Sequence, residues 1–276
     1  MKELTIQENQ QAALEILKKV AKICEQEHLR YWLAYGTLIG AIRHNGFIPW
    51  DDDVDIMMPR EDHDRLLAWF AAHPDVYPEL QAFSADGNPE YPYMISRISD
   101  RRYVLDVDNE KGYGMGTFID VYPMDGCGND YDKAMALAKK GDRLSSLCYQ
   151  STREHFEMGL TKSPLKKLIK YPAYLGAKLM GKNFWMNRLR GLIRVYDYDS
   201  SDYACCTVWC SNPGKDFYKR ELFDELISHP YEDGEFLIPA RYDELLRLTY
   251  GDYMQLPPEE DRVGHHFYRT YRRDED

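Results

Sequence analysis

The chain has 276 residues, 44% hydrophobic and 29% charged, which suits one large domain or a domain with a helical appendage. Mean hydropathy is −0.60, no apolar run approaches the ~18 residues of a membrane span, and the polar start MKELTIQENQQ reads as mature protein, so a transmembrane, secreted or disordered chain is not expected. The net charge of −11 argues against a nucleic-acid binder, which needs cationic faces, and six cysteines without an export signal suit reduced thiols in a cytosol.

The first predicted element is a helix. Thr5 and Glu8 have capping-box spacing, and Leu14, Leu17, Ala21 and Cys24 recur at helical spacing until about His28. Tyr31 to Tyr35 reads as a buried strand, broken by Gly36-Thr37, with a short helix over Leu38 to Ile42. Val54 to Met58 reads as a strand closed by Pro59, and Arg60 to Ala72 as an amphipathic helix. Residues 76–122 look β-rich, with strands at Tyr93–Ile98, Tyr103–Val107 and Thr117–Tyr122. Asp130 to about Glu157 is helical, 162–195 is a distinct segment, and the tail from 217 mixes short helices with loops. The expected class is α/β (α+β), a mixed sheet flanked by helices with a helical C-terminal region. The best seam lies near 125–130, dividing a core over 1–129 from a region over 130–276 that completes the site, unless the two are one domain.

The densest chemistry is Trp50-Asp51-Asp52-Asp53-Val54-Asp55-Ile56. Four carboxylates in five residues repel one another unless a cation sits among them. On a strand Asp53 and Asp55 share a face, their Cα atoms about 7 Å apart. Asp51 joins if the strand begins early, and Asp52 points away. Oxygen ligands favour Mg²⁺ or Mn²⁺ over zinc. The plain alternative is a solvated acidic turn, yet this run enters an apolar strand. An EF-hand loop is excluded by Ile56 and Pro59 at its sixth and ninth positions.

Upstream, Gly36-Thr37 at a helix start can present N–H groups and a hydroxyl to a phosphate, although an ordinary helix cap has the same appearance. Downstream, Asp120 sits inside the apolar run Phe118-Ile119-Asp120-Val121, which is costly unless it is paired or ligating. It is a candidate third metal carboxylate, or the base for an attacking hydroxyl; the alternative is a half-exposed edge-strand aspartate. Asp125 reads as a loop cap.

Together these pieces resemble the nucleotidyltransferase superfamily. The run Tyr31 to Ile56 (YWLAYGTLIGAIRHNGFIPWDDDVDI) is similar to the signature of the LicD family, phosphorylcholine transferases of bacterial surface glycans related to fukutin-type ribitol-phosphate transferases. Phe118 to Asp125, Phe236 to Leu246, Tyr250 to Pro258 and His265 resemble its later blocks, so the likeness spans most of 30–266 but little of 130–215. It implies a nucleotidyltransferase-like fold and transfer of phosphorylcholine, or a similar alcohol phosphate, from a CDP-alcohol such as CDP-choline. The acceptor is a hydroxyl of a surface glycan or teichoic-acid precursor, free or lipid-linked, and CMP is released. On this reading Asp53, Asp55 and Asp120 are catalytic and hold Mg²⁺ or Mn²⁺ with Asp51. Gly36, Thr37, Arg43, His44 and His265 contact the donor. The expected location is cytoplasmic, free or on the inner face of a membrane. The alternatives are a nucleotidyltransferase releasing pyrophosphate, an Asp-x-Asp glycosyltransferase, against which Gly36-Thr37 argues, and a non-catalytic glycan-binding relative.

Between Lys162 and Arg194 lie nine Lys or Arg and no Asp or Glu, interleaved with Tyr171, Tyr174, Leu175, Leu179, Phe184 and Trp185. This suits a helix pair on an anionic membrane, an acidic polymer, or plain packing with a solvated basic face. A choline head group calls for an aromatic cage, for which Tyr196, Tyr198, Tyr203, Trp209, Phe217, Tyr218, Phe267 and Tyr268 all qualify. Cys205, Cys206 and Cys210, with Cys127 and Cys148, fit buried thiols better than any zinc spacing.

Overall fold

The computed structural model describes residues 1–156, 164–209, 212–264 and 268–274, and of 164–169 the backbone. After the short β1 (Lys2–Glu3), α1 (Ile6–Glu27) starts on the expected capping box: Thr5 Oγ1 accepts from the Glu8 N–H at 3.2 Å, and Glu8 Oε2 accepts from the Thr5 N–H at 2.8 Å. It ends on His28 in the left-handed region. Leu14, Leu17, Val20 and Cys24 form its buried face.

The strand expected over 31–35 is only β2 (Trp32–Leu33), because α2 (Tyr35–His44) begins earlier than Leu38. Ala34 caps it in extended geometry, its N–H donating to the Asp55 carbonyl at 3.0 Å. Tyr35 then turns in with φ +46°, a strained backbone for a tyrosine. β3 (Asp55–Pro59), α3 (Arg60–Ala72), β4 (Leu80–Phe83), β5 (Ser96–Asp100) and β6 (Tyr103–Val107) follow. β7 (Phe118–Gly126) runs past the expected Tyr122 and is buried along its whole length, as a central strand covered on both faces should be.

The central sheet has the order β2–β3–β7–β5–β4, with β3 and β7 parallel and the other pairs antiparallel. A parallel pair needs a crossover, and α3 with β4 to β6 supplies it. Next come α4 (Tyr131–Thr152), capped by Asp130, then α5 (Pro164–Met180) and α6 (Lys182–Arg190).

The tail from 217 is richer in strands than expected. β8 (Tyr203–Cys205) extends the end of β7 and pairs β9 (Phe217–Lys219), β10 (Leu226–Tyr231) and β11 (Gly234–Pro239) form a hairpin, and β12 (Tyr268–Arg272) joins β1 to β6. Among the described residues there, α7 (Tyr242–Tyr250) and short 3₁₀ turns are helical. Pro230 and Pro239 inside the hairpin strands hid them, since proline argues against a paired strand.

Asp125 is not a loop cap. It lies in β7, 1% exposed, and accepts both arms of the Arg60 guanidinium at 2.7 and 2.9 Å. Cys24, Cys127, Cys148, Cys205 and Cys206 are buried free thiols, as expected; Cys210 lies outside the described residues. Among the described residues no helix is long and apolar enough to cross a membrane.

Candidate active site

The register of three adjacent strands builds the site. Asp55 on β3 pairs with Asp120 on β7, and Asp120 pairs with Arg97 on β5. Directly paired residues share a face, so acid, acid and guanidinium form one row across the sheet. Arg97 Nε donates to Asp120 Oδ1 at 2.7 Å, and its guanidinium lies 4.1 Å over the Phe118 ring and 5.0 Å over Tyr93.

Asp53, in the extended run before β3, completes the cluster. One carboxylate oxygen from each of Asp53, Asp55 and Asp120 lies within 4.8 Å of the others, and all three residues are buried. Burial, then the charges of Asp53, Asp120 and Asp51, push the Asp55 carboxyl well above the usual carboxylate range. Its Oδ1 is buried without a hydrogen-bond partner. An orphaned acceptor facing two converging carboxylates is a donor set suited to a hard divalent cation, so the residues fit Mg²⁺ or Mn²⁺.

Asp51 and Asp52 form a second group with Asp53, again within 4.8 Å. Asp52 stays outside the Asp55–Asp120 group, as expected, yet it approaches Asp51 and Asp53, because residues 51–54 precede the strand and strand alternation does not govern them. Residues outside the acidic motif hold this loop. Gln10 Nε2 donates to the Asp51 carbonyl at 2.7 Å, and Asn9 Nδ2 to the Asp52 carbonyl at 2.9 Å. The Tyr268 hydroxyl donates to that same Asp52 carbonyl at 3.2 Å, and the Thr117 hydroxyl fixes Asn9 at 2.9 Å.

Gly36 and Thr37 lie in the first turn of α2. A Cβ on Gly36 would stand 2.5 Å from Asp51 Oδ2, so a larger residue there would displace the Asp51 carboxylate from the helix start. Thr37 is buried and its Oγ1 accepts the Asp55 N–H at 2.9 Å, which ties α2 to β3. Arg43 and His44 sit at the far end of α2. Arg43 donates to the Tyr253 carbonyl at 2.7 Å and to His44 Nε2 at 3.0 Å. Burial and the adjacent Arg43 lower the His44 pKa, in keeping with a neutral acceptor ring. His265 and Phe267 lie outside the described residues.

A small hollow, with room for about one water, lies between the aromatic rings of Trp32, Tyr35, Tyr218 and Tyr250 and the aliphatic side chains of Leu38, Met57, Leu245 and Leu246. Tyr35 meets Tyr122 edge-on at 5.1 Å. Burial first, and then Asp55 and Asp120, hold the Tyr122 hydroxyl well above its ordinary pKa, so it stays a neutral donor. Of the aromatics expected for a cage, Tyr218 lines this hollow and Tyr268 touches the acidic loop. Tyr203 and Phe217 instead stack on each other at 5.3 Å, and Trp209 packs on Tyr93. Arg97 was also missed by the sequence reading. Arg97 carries no comparable signal, because its strand, Ser96 to Asp100, is mostly polar, and only the register with β7 sets it beside Asp120.

The model of the nucleotidyltransferase domain shared by LicD, FKTN and FKRP matches residues 28–124, which include Gly36, Asp53, Asp55, Arg97 and Asp120. The chain is 33% identical to the lipopolysaccharide cholinephosphotransferase LicD of Haemophilus influenzae over 275 residues, 98% of this chain and 99% of that one. The chain belongs to the LicD family. As a member it is a phosphotransferase for substituted phosphate groups. The ribitol 5-phosphate transferase FKRP of Mus musculus and of Homo sapiens is 45% identical over 51 residues, 18% of this chain and 10% of each relative.

Proposed function

We propose that this LicD-family enzyme transfers phosphorylcholine, or a closely similar alcohol phosphate, from a CDP-alcohol to a hydroxyl of a lipopolysaccharide-type or teichoic-acid-type glycan, releasing CMP. The full-length likeness to a lipopolysaccharide cholinephosphotransferase carries this reading. The convergence of Asp53, Asp55 and Asp120 around an orphaned buried oxygen supports it.

Transfer of a phosphoryl group asks mainly for positioning and charge neutralisation. Bound among the three carboxylates, Mg²⁺ or Mn²⁺ would neutralise the donor phosphates and orient the leaving CMP. The rest belongs to the chain. The first turn of α2, with N–H groups at Gly36 and Thr37, faces the acidic loop and suits a phosphate oxygen. Asp120, its Oδ1 fixed by Arg97, receives the proton of the acceptor hydroxyl. The acceptor O–P bond forms, the P–O bond to CMP breaks, and CMP leaves with the electron pair. We place the enzyme in the cytoplasm, where CDP-activated donors are made.

Titration calorimetry with Mg²⁺ and CDP-choline, CDP-ribitol, CDP-glycerol, CTP and a UDP-sugar tests the reading. Binding of a CDP-alcohol, lost in Asp55→Asn, is the expected result. Binding of CTP alone would replace this reading with a pyrophosphate-releasing nucleotidyltransferase.

A further inference from the structure

Helix α5 leaves an apolar face uncovered. Tyr174 and Ala177 point inward and are buried, whereas Tyr171, Leu175, Leu179 and Met180 are 47, 49, 87 and 48% exposed. Tyr171, Leu175 and Leu179 are spaced i, i+4, i+8, which aligns them as a stripe about 12 Å long. Scattered exposed leucines need no explanation, but an aligned apolar stripe does.

The charge around the stripe selects its partner. The whole chain is at −11, yet residues 162–194 hold nine cations and no acid. Lys170 and Arg188 are exposed on this segment. Lys178 and Lys182 donate to the Arg153 and Pro89 carbonyls, whereas the charges of Arg190 and Arg194 are offset by Asp86 and Asp64, so the cations available to a partner are the lysines and Arg188. A second copy would set this cationic face against itself. An anionic bilayer offers both an apolar interior for the stripe and negative head groups for the cations.

We propose that the outer face of α5 is a docking surface for an anionic lipid membrane. A chain of contacts connects it to the acidic centre. The Tyr174 hydroxyl and Lys178 Nζ hold the Arg153 carbonyl at 3.4 and 2.6 Å, and Arg153 pairs with Glu110 and with the Tyr93 hydroxyl. Tyr93 in turn lies against Arg97, the partner of Asp120. Docking through α5 thus holds the active site at a fixed orientation to the bilayer, which suits an acceptor carried on a lipid. That consequence rests on the function proposed above; the docking itself does not.

The test is sedimentation of the full-length protein with vesicles of phosphatidylcholine alone and with 30% phosphatidylglycerol added. Binding is expected only to the anionic vesicles, weakened by salt, and at least tenfold weaker for Leu175→Glu/Leu179→Glu with an unchanged melting temperature. Should that double variant fail to fold, Leu179→Ser, at the most exposed position, gives the same reading with a smaller loss. Absence of wild-type binding, equal binding by the variants, or a concentration-dependent dimer abolished by the same substitutions would overturn the proposal. Vesicle binding without CDP-alcohol binding would leave docking standing and remove the assigned reaction.

Discussion

Asp55 and Asp120 stand opposite each other on the parallel strands β3 and β7, with Asp53 completing the cluster and Arg97 facing Asp120 from β5. Sheet register therefore sets the spacing of Asp55, Asp120 and Arg97, while Asp53 is supplied by the run before β3. Sites on regular elements hold their geometry more closely than sites on loops.

Replacing Asp55 by Asn removes a buried carboxyl crowded by Asp53, Asp120 and Asp51. The metal-free protein should keep its melting temperature or gain a few degrees, while the Mg²⁺-induced rise expected of the wild type and the transfer activity should both be lost. A thermal-shift series with and without Mg²⁺ reads both. A lowered melting temperature with the Mg²⁺ shift retained would contradict the assignment.

Arg97→Ala should be costly twice over. It leaves Asp120 buried without its guanidinium, a loss of about 3–5 kcal/mol by the general behaviour of broken buried pairs. It also releases the Asp120 carboxylate from its fixed orientation. Urea unfolding and turnover should both fall. Arg97→Lys should recover stability better than activity, because an ammonium cannot reproduce the flat Nε contact stacked on Phe118.

How much of this was legible follows from which residues interact locally. Asp53 and Asp55 share one short run, and a charge inside a strand marks Asp120, so those three could be found from sequence. That Asp55 and Asp120 are neighbours depends on a parallel pairing 65 residues apart, and no local pattern encodes it. Asn9 and Gln10 look like ordinary polar residues of α1, and their grip on the acidic loop appears only once the helix is docked. Asp125 looked like a cap because it precedes Gly126; its buried pairing with Arg60 comes from α3 folding back over β7. The hairpin over 226–239 was hidden by its own prolines.

Gly36→Ala separates stability from function. Alanine is the better helix former by about 1 kcal/mol, and Gly36 lies within α2. Its Cβ, however, meets Asp51 Oδ2 at 2.5 Å and must displace that carboxylate. Stability should hold or change by about 1 kcal/mol or less, while turnover falls on the order of a hundredfold, as expected for ångström-scale misplacement. Parallel losses in both would point to a helix that no longer forms.

His63 supplies a pH signature. It is buried, with Nε2 3.0 Å from Ser96 Oγ and Nδ1 3.2 Å from Asp64 Oδ1, and burial lowers its pKa despite Asp64. The unfolded chain then binds a proton that the folded chain resists. Stability from this group is complete above the unfolded value near 6.5 and falls as pH drops toward the lowered folded value, by at most about 1.4 kcal/mol per pH unit. Urea midpoints at pH 5 and 7.5 should differ less in His63→Gln than in wild type. An equal difference would place the titration elsewhere.

The central claim is transfer of a substituted phosphate with release of CMP. Purified enzyme, Mg²⁺, CDP-choline and a lipopolysaccharide-type acceptor should be followed by phosphorus NMR, with Asp55→Asn as control. The account predicts CMP appearing in step with a new phosphodiester on the glycan, and neither in the variant. Pyrophosphate released from CTP, with CDP-choline left intact, would contradict it.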